Sequence, residues 1–167
     1  LTAQDGHSLN VEFSPVLALT KNGPATAVVG QSATYTFSVA HAPSSDGSPV
    51  SGVSVADSIT AAPVYTSGDA DPDGLLDGGE TWQYSVTKLV GPNDVDPLVN
   101  TGTGTGTDPD GDTITATDDH PLGIDFLPTL EVVKGGPSSA NVGDVVTYTF
   151  DVSHAPGSDG SSIAGVT

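Results

Sequence analysis

The chain contains no cysteine, so no disulfide can staple it. It contains no arginine either. Its cationic side chains are Lys21, Lys88 and Lys134 against 21 acidic residues, for a formal charge of −18. Three cations cannot neutralise a run of phosphates, which excludes nucleic acid as a partner. Anionic membrane surfaces are disfavoured for the same reason. No apolar run reaches spanning length, so no membrane insertion is expected in this segment, and no start Met or signal-peptide pattern opens the sequence. The window therefore reads as internal to a longer or processed chain. Small domains without disulfides often use a metal as their staple, and so much negative charge either stays solvated or recruits cations.

What is present is repetition. Residues 1–54 return as residues 114–167 at an offset of 113, without a gap. Identity holds at 28 of these 54 positions, too many for coincidence. Tyr35-Thr36-Phe37 answers to Tyr148-Thr149-Phe150, and His41-Ala42-Pro43 to His154-Ala155-Pro156. A 113-residue period is long enough for each unit to own a core. The expected organisation is a tail of one repeat at 1–13, a complete repeat at 14–126 and the first half of the next at 127–167. That half-repeat should not fold alone; a continuing chain or a neighbouring molecule is expected to complete it. Tandem copies suit a spacer, stalk or fibre and argue against an enzyme with one unique catalytic centre.

The local pattern is all-β. Tyr35, Phe37 and Val39 alternate with Thr34, Thr36 and Ser38; Trp82, Tyr84 and Val86 alternate with Thr81, Gln83, Ser85 and Thr87. Period two puts one face inward and one outward. Strands are expected near 15–21, 25–29, 33–41, 50–57, 62–67, 81–90, 97–107 and 113–118, punctuated by Gly and Pro. Seven or eight strands in one repeat predict an immunoglobulin-like β-sandwich.

Thr101, Thr103, Thr105 and Thr107 alternate with Gly102, Gly104 and Gly106 ahead of a turn at 108–112 and of Thr113, Thr115 and Thr117. A hairpin over that turn pairs Thr107 with Thr113, Thr105 with Thr115 and Thr103 with Thr117. Each pair contributes about 0.2–1 kcal/mol. The glycines would then leave room for a large neighbour such as Trp82. The threonine face reads as a solvated β-ladder, or as a surface for O-linked sugars or lateral contacts. No Asn-x-Ser/Thr acceptor for N-linked sugars is present.

Residues 69–80 read Asp-Ala-Asp-Pro-Asp-Gly-Leu-Leu-Asp-Gly-Gly-Glu. They satisfy the calcium-loop pattern D-x-[DN]-x-[DN]-G-x5-E. Asp69, Asp71 and Asp73 fall at loop positions one, three and five, the Leu75 carbonyl at seven, Asp77 at nine and Glu80 at twelve. Ca²⁺ takes 6–8 hard oxygens, and alternate residues of a tight loop supply them. The expectation is a Ca²⁺ site flanked by strands instead of helices; an acidic solvated loop is the plain alternative. A second, weaker acidic group is Asp108, Asp110 and Asp112 with Asp118 and Asp119. It reads first as an ordinary hairpin turn and second as another Ca²⁺ site. His41 and His154 read as strand-end histidines bonded to turns. No nucleophile elbow or phosphate-cradling loop accompanies the Ser, His and Asp residues, so no catalytic set is expected.

The string Gly68-Asp69…Asp73-Gly74…Leu76-Asp77…Glu80-Thr81-Trp82, with Val99-Asn100-Thr101, Thr107-Asp108-Pro109-Asp110-Gly111-Asp112-Thr113 and Asp118-Asp119-His120, resembles the "domain of unknown function eleven" type of bacterial surface repeat. The similarity covers nearly all of 15–125. It implies Ig-like units strung in tandem on adhesins and other long exported proteins, displayed at the cell surface, without enzymatic activity. Gly102 and Gly104 depart from it, since such repeats commonly carry larger apolar residues there. The expected function is a calcium-stabilised extracellular module in the shaft of a bacterial surface filament or long adhesin, partnered by copies of itself. The alternative is an adhesin module that binds glycans or matrix.

Overall fold

A computed structural model describes residues 4–167. The first three residues of the leading repeat fragment, Leu1-Thr2-Ala3, lie outside the described residues. No helix occurs among those described; every regular element is a strand. The chain forms two compact units: 1–24, 34–88 and 99–121 in the first, and 25–33, 89–98 and 122–167 in the second. This division follows contacts, whereas the boundaries at 13/14 and 126/127 follow internal similarity.

In the first unit, β1 (Leu17–Asn22), β3 (Ser32–His41), β7 (Thr81–Leu89) and β5 (Val64–Ser67) form one sheet in the order β1-β3-β7-β5. A second sheet runs β9-β8-β4-β6, from β9 (Thr113–Asp125), β8 (Leu98–Thr107), β4 (Val50–Asp57) and β6 (Leu75–Leu76). The expected alternation holds: Tyr35, Phe37 and Val39 are fully buried, Thr34 and Thr36 face outward, and Ser38 is half-buried. Trp82 and Tyr84 are buried on the same phase of β7. These apolar faces meet the second sheet, giving a β-sandwich arrangement.

The glycines of β8 lie against that core. A Cβ on Gly102 would sit 2.7 Å from Phe37 Cε1 and 3.3 Å from Leu19 Cδ2, and one on Gly106 would collide with Val50 Cγ1. The large neighbour filling the glycine trough is therefore Phe37, with Leu19 and Val50, and not the expected Trp82. Trp82 packs instead edge-on against Tyr65, with centroids 5.4 Å apart. The turn after β8 closes by Asp108 N–H donating to Asp112 C=O at 3.0 Å, which is the register that sets Thr107 opposite Thr113.

Lys21 occupies the inward phase of β1 after Leu17 and Leu19. Its Nζ lies 2.6 Å from Asp57 Oδ2 at the end of β4, both side chains being fully shielded. The rings of Phe37 and Tyr35 stand 4.5 and 4.8 Å from that nitrogen.

In the second unit, β2 (Thr26–Val28) pairs in parallel with Gly123–Asp125 of β9. β10 (Leu130–Gly135) and β11 (Thr149–His154) form an antiparallel pair. Their register runs from Leu130↔His154 to Gly135↔Thr149, and β1 pairs with β3 from Leu17↔His41 to Asn22↔Thr36, each partner 113 earlier. The bonds that close the loop recur too. Ser14 N–H donates to Asp46 as Leu127 N–H does to Asp159, and His41 meets Ser45 as His154 meets Ser158. The burial differs. Leu130, Val132, Phe150 and Val152 are 44–61 % exposed, whereas Leu17, Leu19, Phe37 and Val39 are at most 8 % exposed.

Candidate metal centre

The acidic loop joins β5 to β7. Its middle is anchored by β6, where Leu76 pairs with Val50 and Leu75 with Ser51. The buried Leu76 carbonyl also accepts from His41 Nε2 at 3.0 Å. Gly74 has φ +80, a left-handed conformation that disfavours any side chain. Gly68, at φ +126, passes so close to Thr81 and Trp82 that a Cβ would meet the Thr81 carbonyl. The loop is thus bent back between two sheet anchors, and its first three acids converge.

Asp69, Asp71 and Asp73 each place a carboxylate oxygen within 4.8 Å of the others; this is the one such metal-competent group among the described residues. Asp69 Oδ2 accepts from Gly74 N–H at 3.0 Å, and Asp73 Oδ1 from Leu75 N–H at 2.8 Å. Asp69 Oδ1 is buried and has no hydrogen-bond partner among the described residues. A buried carboxylate oxygen without a donor is costly. A hard cation is the natural partner for it, because the set offers only oxygens.

Asp77 and Glu80 lie outside that triad. Partial burial, then the negative charges of Asp73, Asp71 and Glu80, hold the Asp77 carboxyl above its ordinary value. Glu80 acts within the loop: Oε1 accepts from Ala70 N–H at 2.7 Å, and Oε2 from Asp77 N–H at 3.1 Å and Trp82 Nε1 at 3.2 Å. Those donors, the Ala70 N–H foremost, hold the Glu80 carboxyl below its usual range. Leu75 sits in β6 opposite Ser51.

The second acidic group is not gathered into a comparable cluster. Asp108 Oδ1 closes the hairpin on Asp112 N–H, Asp110 Oδ2 accepts from Phe13 N–H, and Asp118 Oδ2 from Lys21 N–H. Asp119 is exposed further along β9. Thr101, Thr103, Thr105 and Thr107 line the half-exposed side of β8, and Thr113, Thr115 and Thr117 the exposed side of β9. Thr105 Oγ1 bonds to Ser54 Oγ.

Beside the loop a cleft of about 360 Å³ is lined by Val53, Val55, Tyr65, Trp82 and Tyr84, with Asp69 at its wall. Tyr65 Oη accepts from Asp69 N–H at 2.9 Å, so the cleft and the acidic loop share a hydrogen bond. Burial, with Tyr65 adding to it, pushes the Tyr84 hydroxyl up to about 12, and it donates to Val53 C=O.

No model of a known protein family matches this chain, and neither a curated protein nor a solved structure matches it. The functional reading rests on the residues themselves.

Proposed function

We propose that this chain is a calcium-stabilised structural repeat of an extracellular bacterial filament or long adhesin shaft, built from tandem Ig-like units of the "domain of unknown function eleven" type. The observation that carries this reading is the Asp69–Asp71–Asp73 triad with its unpartnered Asp69 oxygen, held between two sheet anchors. Ca²⁺ there would offset the mutual repulsion of the acids and tie β5 to β6 and β7, coupling metal binding to folding. The tandem reading is supported by the shared register of β1–β3 and β10–β11 at an offset of 113. On this reading the exposed face of β10–β11 is one that a second sheet covers, as β8 covers Phe37 and Leu19.

Melting in excess chelator and in millimolar calcium tests the stabilising role. With calcium at 100 times its dissociation constant, the gain is about 2.7 kcal/mol. Coincident melting curves reject it. A second reading, ligand binding by an adhesin module, is favoured by the aromatic cleft beside the loop. Binding of a glycan that quenches or shifts Trp82 emission would support it, and a silent glycan panel would remove it.

A further inference from the structure

The loop pattern and the folded loop differ in how an ion would be closed in. Ca²⁺ takes about 6–8 oxygens, and the pattern assigns the closing pair to Glu80. Both Glu80 oxygens are instead engaged by the N–H groups of Ala70, Asp77 and Trp82. The carboxylates of Asp69, Asp71 and Asp73 remain. Asp69 and Asp73 each have one oxygen tied to a loop N–H, of Gly74 and Leu75 respectively. An ion held by this set keeps coordination positions for water or for a ligand. Asp69 belongs both to the triad and to the wall of the aromatic cleft.

We propose that the cleft takes a saccharide ring through calcium: two adjacent hydroxyls of the sugar complete the shell of an ion held by the triad. The ligand class is a neutral sugar carrying a vicinal diol. Calcium at the triad is itself the reading proposed above, and this inference rests on it. No covalent bond is made or broken; hydroxyl oxygens replace water on the ion.

Size, surface and charge all favour that ligand. The cleft holds about 360 Å³, at the small end of the range of about 300–1,000 Å³ common for small-molecule sites. Tyr65 is 42 % exposed and rests edge-on against the buried Trp82 and Tyr84, with centroids 5.4 and 5.5 Å away. An exposed ring braced by two buried ones is a rigid platform for the apolar C–H face of a sugar. Val53, Val55 and Pro63 extend that apolar lining. Tyr65 Oη accepts from Asp69 N–H at 2.9 Å, so its own proton is left for a sugar oxygen. An apolar platform beside one polar corner matches a pyranose, which has an apolar face and a hydroxylated rim. Charge narrows the class further. Calcium offsets two of the three negative charges of the triad and turns that corner into an acceptor of neutral hydroxyl oxygens. An anionic ligand is opposed by the formal charge of −18.

The test uses the full chain with methyl α-mannoside and methyl α-galactoside, which carry adjacent hydroxyls, and their fully O-methylated forms as controls. Saturation-transfer NMR from the protein's aromatic protons reads sugar contact, and calorimetry reads calcium. In millimolar calcium at least one of the two sugars should show transfer, lost in excess chelator and regained with calcium, while the O-methylated forms stay silent. Saturating sugar should tighten calcium binding about 5-fold or more, by the same factor that calcium tightens the sugar. Asp71→Asn should lose calcium heat and sugar transfer together. Calcium heat with neither sugar bound overturns the diol site and leaves the metal reading standing. Sugar transfer that survives chelation overturns it and leaves a metal-free glycan site. No calcium heat overturns the diol site and the metal reading together. Tetramethylammonium that displaces calcium while both sugars stay silent overturns it in favour of an organic cation. These decisive readouts use the wild-type chain, so they hold even where the variant fails to fold.

Discussion

Two glycines on one strand should answer oppositely to the same substitution. A methyl group on Gly102 would lie 2.7 and 3.0 Å from two ring carbons of Phe37 and 3.3 Å from Leu19 Cδ2. Phe37 has no exposed surface, so its ring cannot yield outward. Gly102→Ala should therefore overpack the core and cost about 1–3 kcal/mol. For a domain of this size that is a fall of about 4–8 °C in Tm per kcal/mol. Two residues on, a methyl on Gly104 would meet Leu19 Cδ1 at 3.7 Å and Val39 Cγ2 at 3.8 Å, ordinary contact. Gly104→Ala adds packing and removes unfolded-state freedom, so it should be neutral or stabilise by up to about 1 kcal/mol. Neither glycine has a positive φ, so backbone strain enters neither comparison. Urea unfolding followed by the emission of Trp82, the single tryptophan, would read both variants. A Gly102→Ala variant as stable as Gly104→Ala would refute the claim that Phe37 fills the trough over β8.

Other outcomes follow from the same geometry. Stability without metal should fall on acidification: Asp46 is held below its ordinary value by the Ser48 hydroxyl and N–H and by Ser14 N–H, and Glu80 by its own donors. Such carboxylates stabilise fully above their unfolded values near pH 4 and lose this as the pH drops through the folded ones. Asp77 has the opposite sign, since its raised pKa disfavours the folded state as the pH rises through it; a metal-free Tm that stays flat from about pH 6 to 3 would contradict the dominance of the depressed groups. Glu80→Gln should lower Tm with and without calcium, because an amide NH2 must then face one of the donors that Glu80 now accepts from; an unchanged melt would show that Glu80 does not organise the loop. Val50→Ala should cost about 2 kcal/mol or more by leaving a cavity beneath β6 and Gly106, read by the same urea curves.

The strands of strict period two were legible in the sequence, because each has one face in the core. Residues 33–41, 81–90 and 97–107 match β3, β7 and β8 within one residue. β6 was not legible: Leu75-Leu76 is two residues long inside an acidic loop, and it is a strand only because β4 offers Val50 and Ser51. β9 runs to Asp125 through Asp118-Asp119-His120-Pro121, a polar stretch that carries no strand signal of its own. The convergence of Asp69, Asp71 and Asp73 follows from their alternation around a bend. Glu80 did not follow: its place in the loop pattern suggests a metal ligand, but the structure turns both its oxygens to N–H donors. The Lys21–Asp57 pair carries a signal in the sequence. Leu17, Leu19 and Lys21 share one phase of β1, and a lysine on an apolar phase demands a buried partner.

Calorimetric titration of the full chain with Ca²⁺ tests the metal centre most directly, with Asp69→Asn measured alongside. The account predicts one saturable site per chain, with a dissociation constant in the range of about 10⁻⁴–10⁻³ M of extracellular modules, and marked weakening in the variant. No saturable heat in the wild type, or equal binding by wild type and Asp69→Asn, would contradict it.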